Sequence, residues 1–190
     1  MNTPKIKVIL GSTREGRAGE NVAKWVMKSL EAETSAQLSL LDLKDYPLPF
    51  FADAIPPLMR QGKHPLPEVQ KWIDQIDDAD GFIIITPEYN HSFTAVLKNA
   101  LDYPCREWHD KSVGFVSYGA ASGGIRAVEQ LRQVVGELHM YDVRDQVSIP
   151  MIWAAFDEAG NLQHAEMHEK NLKLVFHKVV ELANKLSSNS

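Results

Sequence analysis

The sequence is poor in cysteine, in basic charge and in long apolar runs, and each shortage excludes a class of protein. A single cysteine, Cys105, in 190 residues excludes an internal disulfide and leaves no second thiol for a zinc or iron–sulfur site. The formal net charge of −5 argues against nucleic-acid binding, which needs a basic footprint. The longest apolar runs, such as residues 82–85, have the length of a strand, and no signal stretch precedes them. We expect a cytoplasmic protein that binds neither nucleic acid nor membrane.

Apolar segments with strand character alternate with amphipathic helical segments along the whole chain. Hydrophobic residues make up 44% of the sequence, enough for a full core, so we expect one domain spanning residues 1–190. This alternation predicts an α/β fold, a doubly wound five-stranded parallel sheet with helices on both faces. The predicted strands cover residues 5–10, 37–43, 81–86, 112–118 and 146–149, and the predicted helices cover residues 19–33, 69–76, 93–101, 125–138 and 165–186. Six prolines between residues 46 and 67 predict an irregular, exposed segment.

Three segments of unusual composition follow the carboxyl ends of predicted strands. They are the first loop (residues 11–21), the second loop (residues 86–92) and the third loop (residues 118–124). Ligands of doubly wound sheets bind at that edge, near the point where the strand order reverses. We therefore expect the three loops to meet at one site.

The first loop has the composition of a phosphate site. Residues 11–19 combine glycines, two hydroxyl side chains and the guanidinium groups of Arg14 and Arg17, and they lead into a helix N terminus. The nucleoside-triphosphate P-loop is excluded because Arg17 and Ala18 stand where it needs Lys and Ser or Thr, and Thr13 breaks the dinucleotide fingerprint. The competing interpretation is a tight turn with a helix cap, but the two arginines favour a phosphate.

The second and third loops favour a flat ring. Pro87 stiffens the second loop, Tyr89 offers an aromatic face with a polar tip, and Asn90 offers donor and acceptor atoms for a ring edge. The three glycines of the third loop let backbone lie against a planar ligand. Each loop alone is equally compatible with an ordinary capped turn or a flexible connector, so the argument depends on their convergence.

These residues together resemble the NADPH-dependent FMN reductase family of flavodoxin-like proteins, a group that includes quinone, azo-dye and chromate reductases. The matching motifs are LGSTR at 10–14, PEYN at 87–90, LKNALD at 97–102 and SYGAASGG at 117–124, and the similarity runs from about residue 5 to 150. The chain departs from the family pattern at two places. A second serine of the phosphate loop is replaced near Arg17, and Thr94 stands where the family often has proline. Which side chains hold the phosphate is therefore open.

The resemblance implies FMN as cofactor, NADPH as donor and a homodimer or homotetramer with helices near residues 97–108 at the subunit contact. The implied phosphate contacts come from the first loop and the start of the first helix, and the implied ring contacts come from the other two loops. The cofactor-binding residues are accordingly Ser12, Arg14, Arg17, Gly19, Glu20, Asn21, Val22, Pro87, Glu88, Tyr89, Asn90, Ser117, Gly119, Ser122 and Gly123.

The predicted function is a ping-pong reduction in which hydride passes from NADPH or NADH to FMN and then to a small acceptor. A quinone, an azo compound, a metal oxyanion or free flavin could serve as acceptor, and the sequence does not choose among them. Because the flavin carries the chemistry, we predict no catalytic acid, base or nucleophile and no metal. The alternatives are a flavodoxin-type electron carrier and a flavin-dependent redox sensor. A carrier needs an acidic docking face, and we interpret the only acidic group, at residues 74–80, as a solvated helix face.

Overall fold

Five apolar segments form one parallel sheet, and its strand order places the three loops at one edge. The computed structural model describes residues 3–188. The strands are β1 (Lys5–Leu10), β2 (Gln37–Asp42), β3 (Gly81–Pro87), β4 (Ser112–Tyr118) and β5 (Tyr141–Ile149). They pair in parallel in the order β2-β1-β3-β4-β5. This is the flavodoxin-like order, so the predicted fold class is confirmed.

Alternate residues of the central strands enter two separate cores, one on each face of the sheet. In β3, Ile83 and Ile85 pack against α1 (Gly19–Ser29) and α5 (Ala165–Ser187). Phe82 and Ile84 pack on the other face, where the helices are α2 (Pro67–Asp77), α3 (Ala95–Asp102) and α4 (Ile125–Glu137). The strand is buried along its whole length, as expected for a parallel strand covered on both sides.

Two predicted boundaries were wrong by more than two residues, and both errors have a physical cause. Strand β5 begins at Tyr141, five residues before the predicted start at 146, because it is an edge strand whose polar first half is largely exposed. Helix α1 ends at Ser29 and not at residue 33, since the residues after Leu30 form a turn. Residues 46–67 are irregular as predicted, apart from one short 3-10 turn at Pro57–Met59. Of the predicted domain 1–190, the first two and last two residues lie outside the described part.

The strand order reverses between β1 and β3, which makes the crevice beyond their carboxyl ends the expected ligand site. Thr94 ties the two sides of this crevice together. Its hydroxyl donates to the Gly11 carbonyl oxygen at 2.6 Å and accepts from the Leu97 N–H at 3.2 Å, which caps α3. A proline at position 94 could make neither bond, because it has no hydroxyl group. Within residues 3–188 no helix is long and apolar enough to cross a bilayer.

Candidate functional site

The three loops meet at the carboxyl edge of the sheet, as predicted. Each is anchored to the neighbouring strand by a backbone hydrogen bond just beyond the sheet ladder. The Gly11 N–H donates to Ile85 O at 2.8 Å, the Glu88 N–H to Tyr118 O at 3.1 Å, and the Gly119 N–H to Ile149 O at 3.2 Å. The loops therefore start from fixed positions on a rigid sheet.

The first loop places a buried hydroxyl beside an uncapped helix N terminus. The Ser12 side chain is buried, and its Oγ lies 3.3 Å from the Tyr89 hydroxyl of the second loop. Gly16 has a φ of +61°, a conformation that glycine adopts without strain. Helix α1 then begins at Gly19 without a side-chain cap from Ala18. An uncapped N terminus next to donor side chains is a favourable place for an anion.

The two arginines of the first loop have different environments. Arg14 is exposed, lines the cleft, and makes no hydrogen bond or ion pair within the described residues. The Arg17 side chain is only 2% exposed, and its guanidinium binds Asp42, Glu20 and the Ser12 carbonyl oxygen. Arg14 is thus available to a ligand, whereas Arg17 is occupied by the protein.

Tyr118 brings a second buried hydroxyl to the same place, and sequence reasoning missed it. Its side chain is 4% exposed, and its hydroxyl has no hydrogen-bond partner within residues 3–188. Burial raises the pKa of Tyr118 and nearby Tyr89 adds to the rise, whereas the positive charges of Arg17 and Arg14 oppose it. The hydroxyl therefore remains a donor at neutral pH. A Cβ at Gly19 would lie 2.5 Å from this hydroxyl oxygen, so the glycine makes the approach possible.

The second loop is a tight hairpin turn that presents Tyr89. The Tyr89 N–H donates to Ser92 O at 2.8 Å, and the Ser92 N–H returns a bond to Tyr89 O at 3.0 Å. Between them Asn90 and His91 have φ values of 50° and 66°, which non-glycine residues rarely adopt. Backbone strain of this kind persists where the surrounding structure imposes it, and it is concentrated at functional sites.

Glu88 joins the second loop to the third. Its carboxylate accepts from the Ser122 hydroxyl at 3.2 Å and from the Arg126 guanidinium at 3.1 Å. The Ser117 hydroxyl donates to Gly123 O at 2.8 Å from below the third loop. The side chains of Glu88, Ser117 and Ser122 are thus engaged in holding the second and third loops in place. The backbone of the third loop is therefore its main surface for a ligand.

A small cleft lies where the loops meet, and its mouth carries two exposed aromatic rings. The cleft holds about 180 Å³ and is lined by parts of all three loops together with Ile152 and Trp153, which follow β5. Tyr89 is 38% exposed and Trp153 is 68% exposed. Ligand pockets usually hold roughly 300–1,000 Å³, so a planar ligand seated here would extend past the rim. Trp153 could have been suspected from sequence, since it too follows a strand's carboxyl end.

The structure places six of the fifteen predicted site residues in the lining of the central cleft and separates several other side chains from it. Val22 is fully buried in the core, and its N–H donates to Ala18 O at 3.2 Å. Asn21 lines a different cleft between α1 and α5, and the Glu20 carboxylate binds Arg17 and Lys44. The predicted residues that line the central cleft are Arg14, Arg17, Pro87, Glu88, Tyr89 and Gly119.

The donor set fits a phosphate monoester joined to a flat ring. Arg14, the Ser12 and Tyr118 hydroxyls and the start of α1 offer positive charge and hydrogen-bond donors in one place, and the Tyr118 donor lacks a protein partner. The rings of Tyr89 and Trp153 line the same cleft as Pro87 and Gly119. FMN, with one terminal phosphate and a planar tricyclic ring, has this shape.

Comparison with known proteins gives the same answer. Residues 4–154 match the model of the family described as NADPH-dependent FMN reductase. The chain is 40% identical over 138 residues to an NAD(P)H-dependent FMN reductase of Schizosaccharomyces pombe, an alignment covering 73% of this chain and 68% of the relative. It is 35% identical over 137 residues to an NAD(P)H:quinone oxidoreductase of Solanum tuberosum, which covers 69% of this chain and 68% of that one.

A solved structure supports the fold over nearly the whole length. The flavoenzyme NAD(P)H:(acceptor) oxidoreductase from Paracoccus denitrificans superposes with a TM-score of 0.74 at 21% identity. The match covers 96% of this chain and 98% of that one. It therefore includes α5, which follows the segment matched by the family model.

Proposed function

The chain belongs to the NADPH-dependent FMN reductase family, and on that premise we propose that it passes electrons from reduced nicotinamide to a small planar acceptor of the quinone type by a ping-pong reaction. Family membership makes it an NAD(P)H-dependent oxidoreductase that uses FMN. The acceptor and the order of steps are our proposal. The observation that carries it is a cleft lined by two donors, Arg14 and Tyr118, that have no partner among residues 3–188, with exposed aromatic rings at its mouth.

The first loop would hold the FMN phosphate. The guanidinium of Arg14 supplies the charge, while the hydroxyls of Ser12 and Tyr118 and the backbone N–H groups of residues 17–19 supply donors. The flavin ring would lie along residues 87–90 and against the backbone of the third loop, of which Gly119 lines the cleft. Ser117, Glu88 and Ser122 hold these two loops in place.

FMN, when bound, supplies the two-electron chemistry, taking hydride from nicotinamide and delivering electrons to the acceptor. The residues of this chain have the tasks of binding and orientation. The hydroxyl of Tyr118 stays protonated because burial raises its pKa, so it can donate to an anion. Tyr89 and Trp153 present flat apolar faces beside the cleft, and aromatic faces of this kind stack on planar ligands. These faces support a planar acceptor over a compact metal oxyanion.

Two further features of the proposal concern assembly and compartment. We place the site in a single domain that forms a homodimer or homotetramer. In support, four large apolar side chains of the proline-rich segment, which contacts α3 through Asn99, are exposed: Phe50, Ile55, Leu58 and Met59. Exposed apolar clusters of this kind mark association surfaces. The nicotinamide donor supports a cytoplasmic location, and light scattering of the purified protein would test the oligomeric state.

The decisive test is a visible spectrum of the protein reconstituted with FMN, recorded without oxygen before and after NADPH. We expect flavin bands that bleach within the mixing time and return when a benzoquinone is added after excess NADPH has been removed. A parallel titration with NADH measures the donor preference. Flavin bands that NADPH leaves intact would contradict the reductase function, and bleached bands that a quinone does not restore would contradict the acceptor class.

A further inference from the structure

Arg17 is bound on several sides by the protein itself. At least four of the five N–H donors of its guanidinium are engaged. The Nε atom donates to the Glu20 carboxylate at 3.2 Å. One terminal nitrogen donates both to Asp42 Oδ1, at 2.8 Å, and to the Ser12 carbonyl oxygen. The other terminal nitrogen donates to Asp42 Oδ2. Burial alone would lower the pKa of Arg17, but its contacts with Asp42 and Glu20 raise it overall. Its charge is thus offset inside the protein.

Asp42 is itself held rigidly. It is the last residue of β2 and pairs in register with Leu10, the residue just before the first loop. Its Oδ1 also accepts the Lys44 N–H at 2.9 Å and so caps the turn that follows. A bidentate arginine–carboxylate pair has defined geometry, so the Asp42–Arg17 pair forms a rigid bridge from the sheet edge to the first loop.

The far end of this bridge is the Ser12 carbonyl, and its orientation fixes that of the next amide. In a trans peptide the C=O and the following N–H point in opposite directions. A Ser12 carbonyl held toward Arg17 therefore turns the Thr13 N–H away from it. That N–H makes no hydrogen bond within the described part of the chain.

From these contacts we propose that Arg17 is a positioning residue, which together with Asp42 clamps the Ser12 carbonyl and thereby aims the Thr13 N–H at the cofactor's phosphate. The proposal rests on the proposed FMN function for the identity of the ligand. The proposal gives the two arginines of the first loop different roles. Arg14 contacts the phosphate directly, whereas Arg17 positions a backbone N–H that contacts it.

The variant Asp42→Asn distinguishes this role from direct contact between Arg17 and the phosphate, because the two roles predict opposite changes in FMN affinity. Asparagine keeps the shape and can still cap Lys44, but it removes the charge that holds Arg17. If Arg17 bound the phosphate, losing its competitor would tighten FMN. If it clamps the loop, FMN binding weakens by roughly tenfold to a hundredfold, the range for groups that orient a ligand's partners.

Arg17→Lys is the second variant, because lysine keeps the charge but lacks the planar fork. We expect a loss similar to that of Asp42→Asn, and the double variant should lose no more than either single one because both remove the same bridge. The matched control is Asp142→Asn, which breaks an arginine–aspartate pair of α4 and β5 outside the cleft. It should leave flavin affinity unchanged.

The measurement is the Kd for FMN and for riboflavin, which lacks the phosphate, from quenching of flavin fluorescence. A clamp on the phosphate loop weakens FMN and leaves riboflavin unchanged, whereas general damage to the fold weakens both. Tighter FMN binding by Asp42→Asn, or unchanged binding by Arg17→Lys, would overturn the clamp without touching the proposed function.

Hydrogen exchange of the apo protein gives a readout that needs no flavin. Amides of residues 11–19 should exchange faster in Asp42→Asn than in the wild type or in Asp142→Asn. If the wild type fails to bind FMN, the proposed function fails and exchange alone decides the clamp. Unchanged exchange would then reject it.

Discussion

The amino and carboxyl edges of the sheet are both rich in charged and polar side chains, but they satisfy them differently. At the amino edge the polar groups bind one another. At the carboxyl edge several donors have no protein partner within the described residues 3–188. The difference indicates which edge is built for folding and which for a ligand, although composition alone does not distinguish them.

The amino edge is a closed network around the end of α2. The Nζ of Lys7 donates to Gln75 O at 2.7 Å and to Asp78 at 3.1 Å, and the Lys5 backbone N–H donates to Asp80 at 2.7 Å. A hydrogen bond from Lys5 holds the pKa of Asp78 below its ordinary value. Asp78, one of the aspartates that could have formed an acidic docking face for an electron carrier, is thus partly neutralised by lysines.

The carboxyl edge departs from this pattern in two ways. Arg14 makes no hydrogen bond or ion pair within residues 3–188, and the buried Tyr118 hydroxyl lacks a partner there too. Buried polar groups are almost always paired in native proteins, and each exception needs an explanation. A ligand that accepts hydrogen bonds explains the unpaired donors together.

The largest expected difference between the two edges is in FMN affinity when a cation is removed from each. Arg14→Ala should weaken FMN binding by about 1.5–3 kcal/mol, the range for a charge-assisted hydrogen bond, or roughly tenfold to a hundredfold in Kd. Lys5→Ala removes a cation that already binds Asp78 and should leave the Kd unchanged. Flavin titration of both variants makes the measurement, and equal losses would show that net charge, and not the cleft, attracts the cofactor.

Smaller changes in the free energy of unfolding, opposite in sign to each other, are expected from substitutions at the two ends of β4. The hydroxyl of Ser112 donates to Val179 O at 2.9 Å, whereas that of Tyr118 has no partner. Ser112→Ala should therefore lower the free energy of unfolding of the apo protein by about 1 kcal/mol, and Tyr118→Phe should raise it by about 1 kcal/mol because an unsatisfied buried group costs that much or more. Urea unfolding without flavin tests both values.

Tyr118→Phe should at the same time weaken FMN, because it loses a donor to the phosphate. A variant that is more stable and binds less tightly is a signature of a functional group kept at a cost to folding. If Tyr118→Phe is destabilised and binds FMN normally, the hydroxyl has a structural role in the apo protein and the phosphate assignment to Tyr118 fails.

Much of this site could be predicted from sequence, because strand–helix alternation determines where parallel strands end. The three loops and the fold class follow from that pattern. The partner of Arg17 could not be predicted, since Asp42 lies 25 residues away and reaches it only through the β1–β2 register. The role of Tyr118 could not be predicted either. From sequence, an aromatic residue at the end of a strand is interpreted as a core residue, and only the structure shows that its hydroxyl has no partner within residues 3–188.

Strand β5 shows the same limit at the amino edge. Its first residues are polar and exposed, and their pairing with β4 includes a register shift between Val113 and Phe115. Hydrophobic pattern finds buried strands and misses edge strands whose backbone pairing alone defines them. Tertiary pairing, not propensity, decides both this boundary and the clamp on the first loop.

The smallest expected effect tests whether the amino edge serves stability alone. The Nζ of Lys111 donates to Ile76 O at 2.6 Å and to Asp77 O at 2.9 Å, and burial lowers its pKa from 10.5 to about 8. Between these two values the unfolded chain holds more protons than the folded one, so this group's contribution to stability rises with pH. Lys111→Met should remove that rise between pH 8 and 10 and leave FMN affinity unchanged. Urea unfolding at several pH values measures it; an altered FMN Kd in this variant would show that the two edges are coupled, and that their division into folding and ligand roles is incomplete.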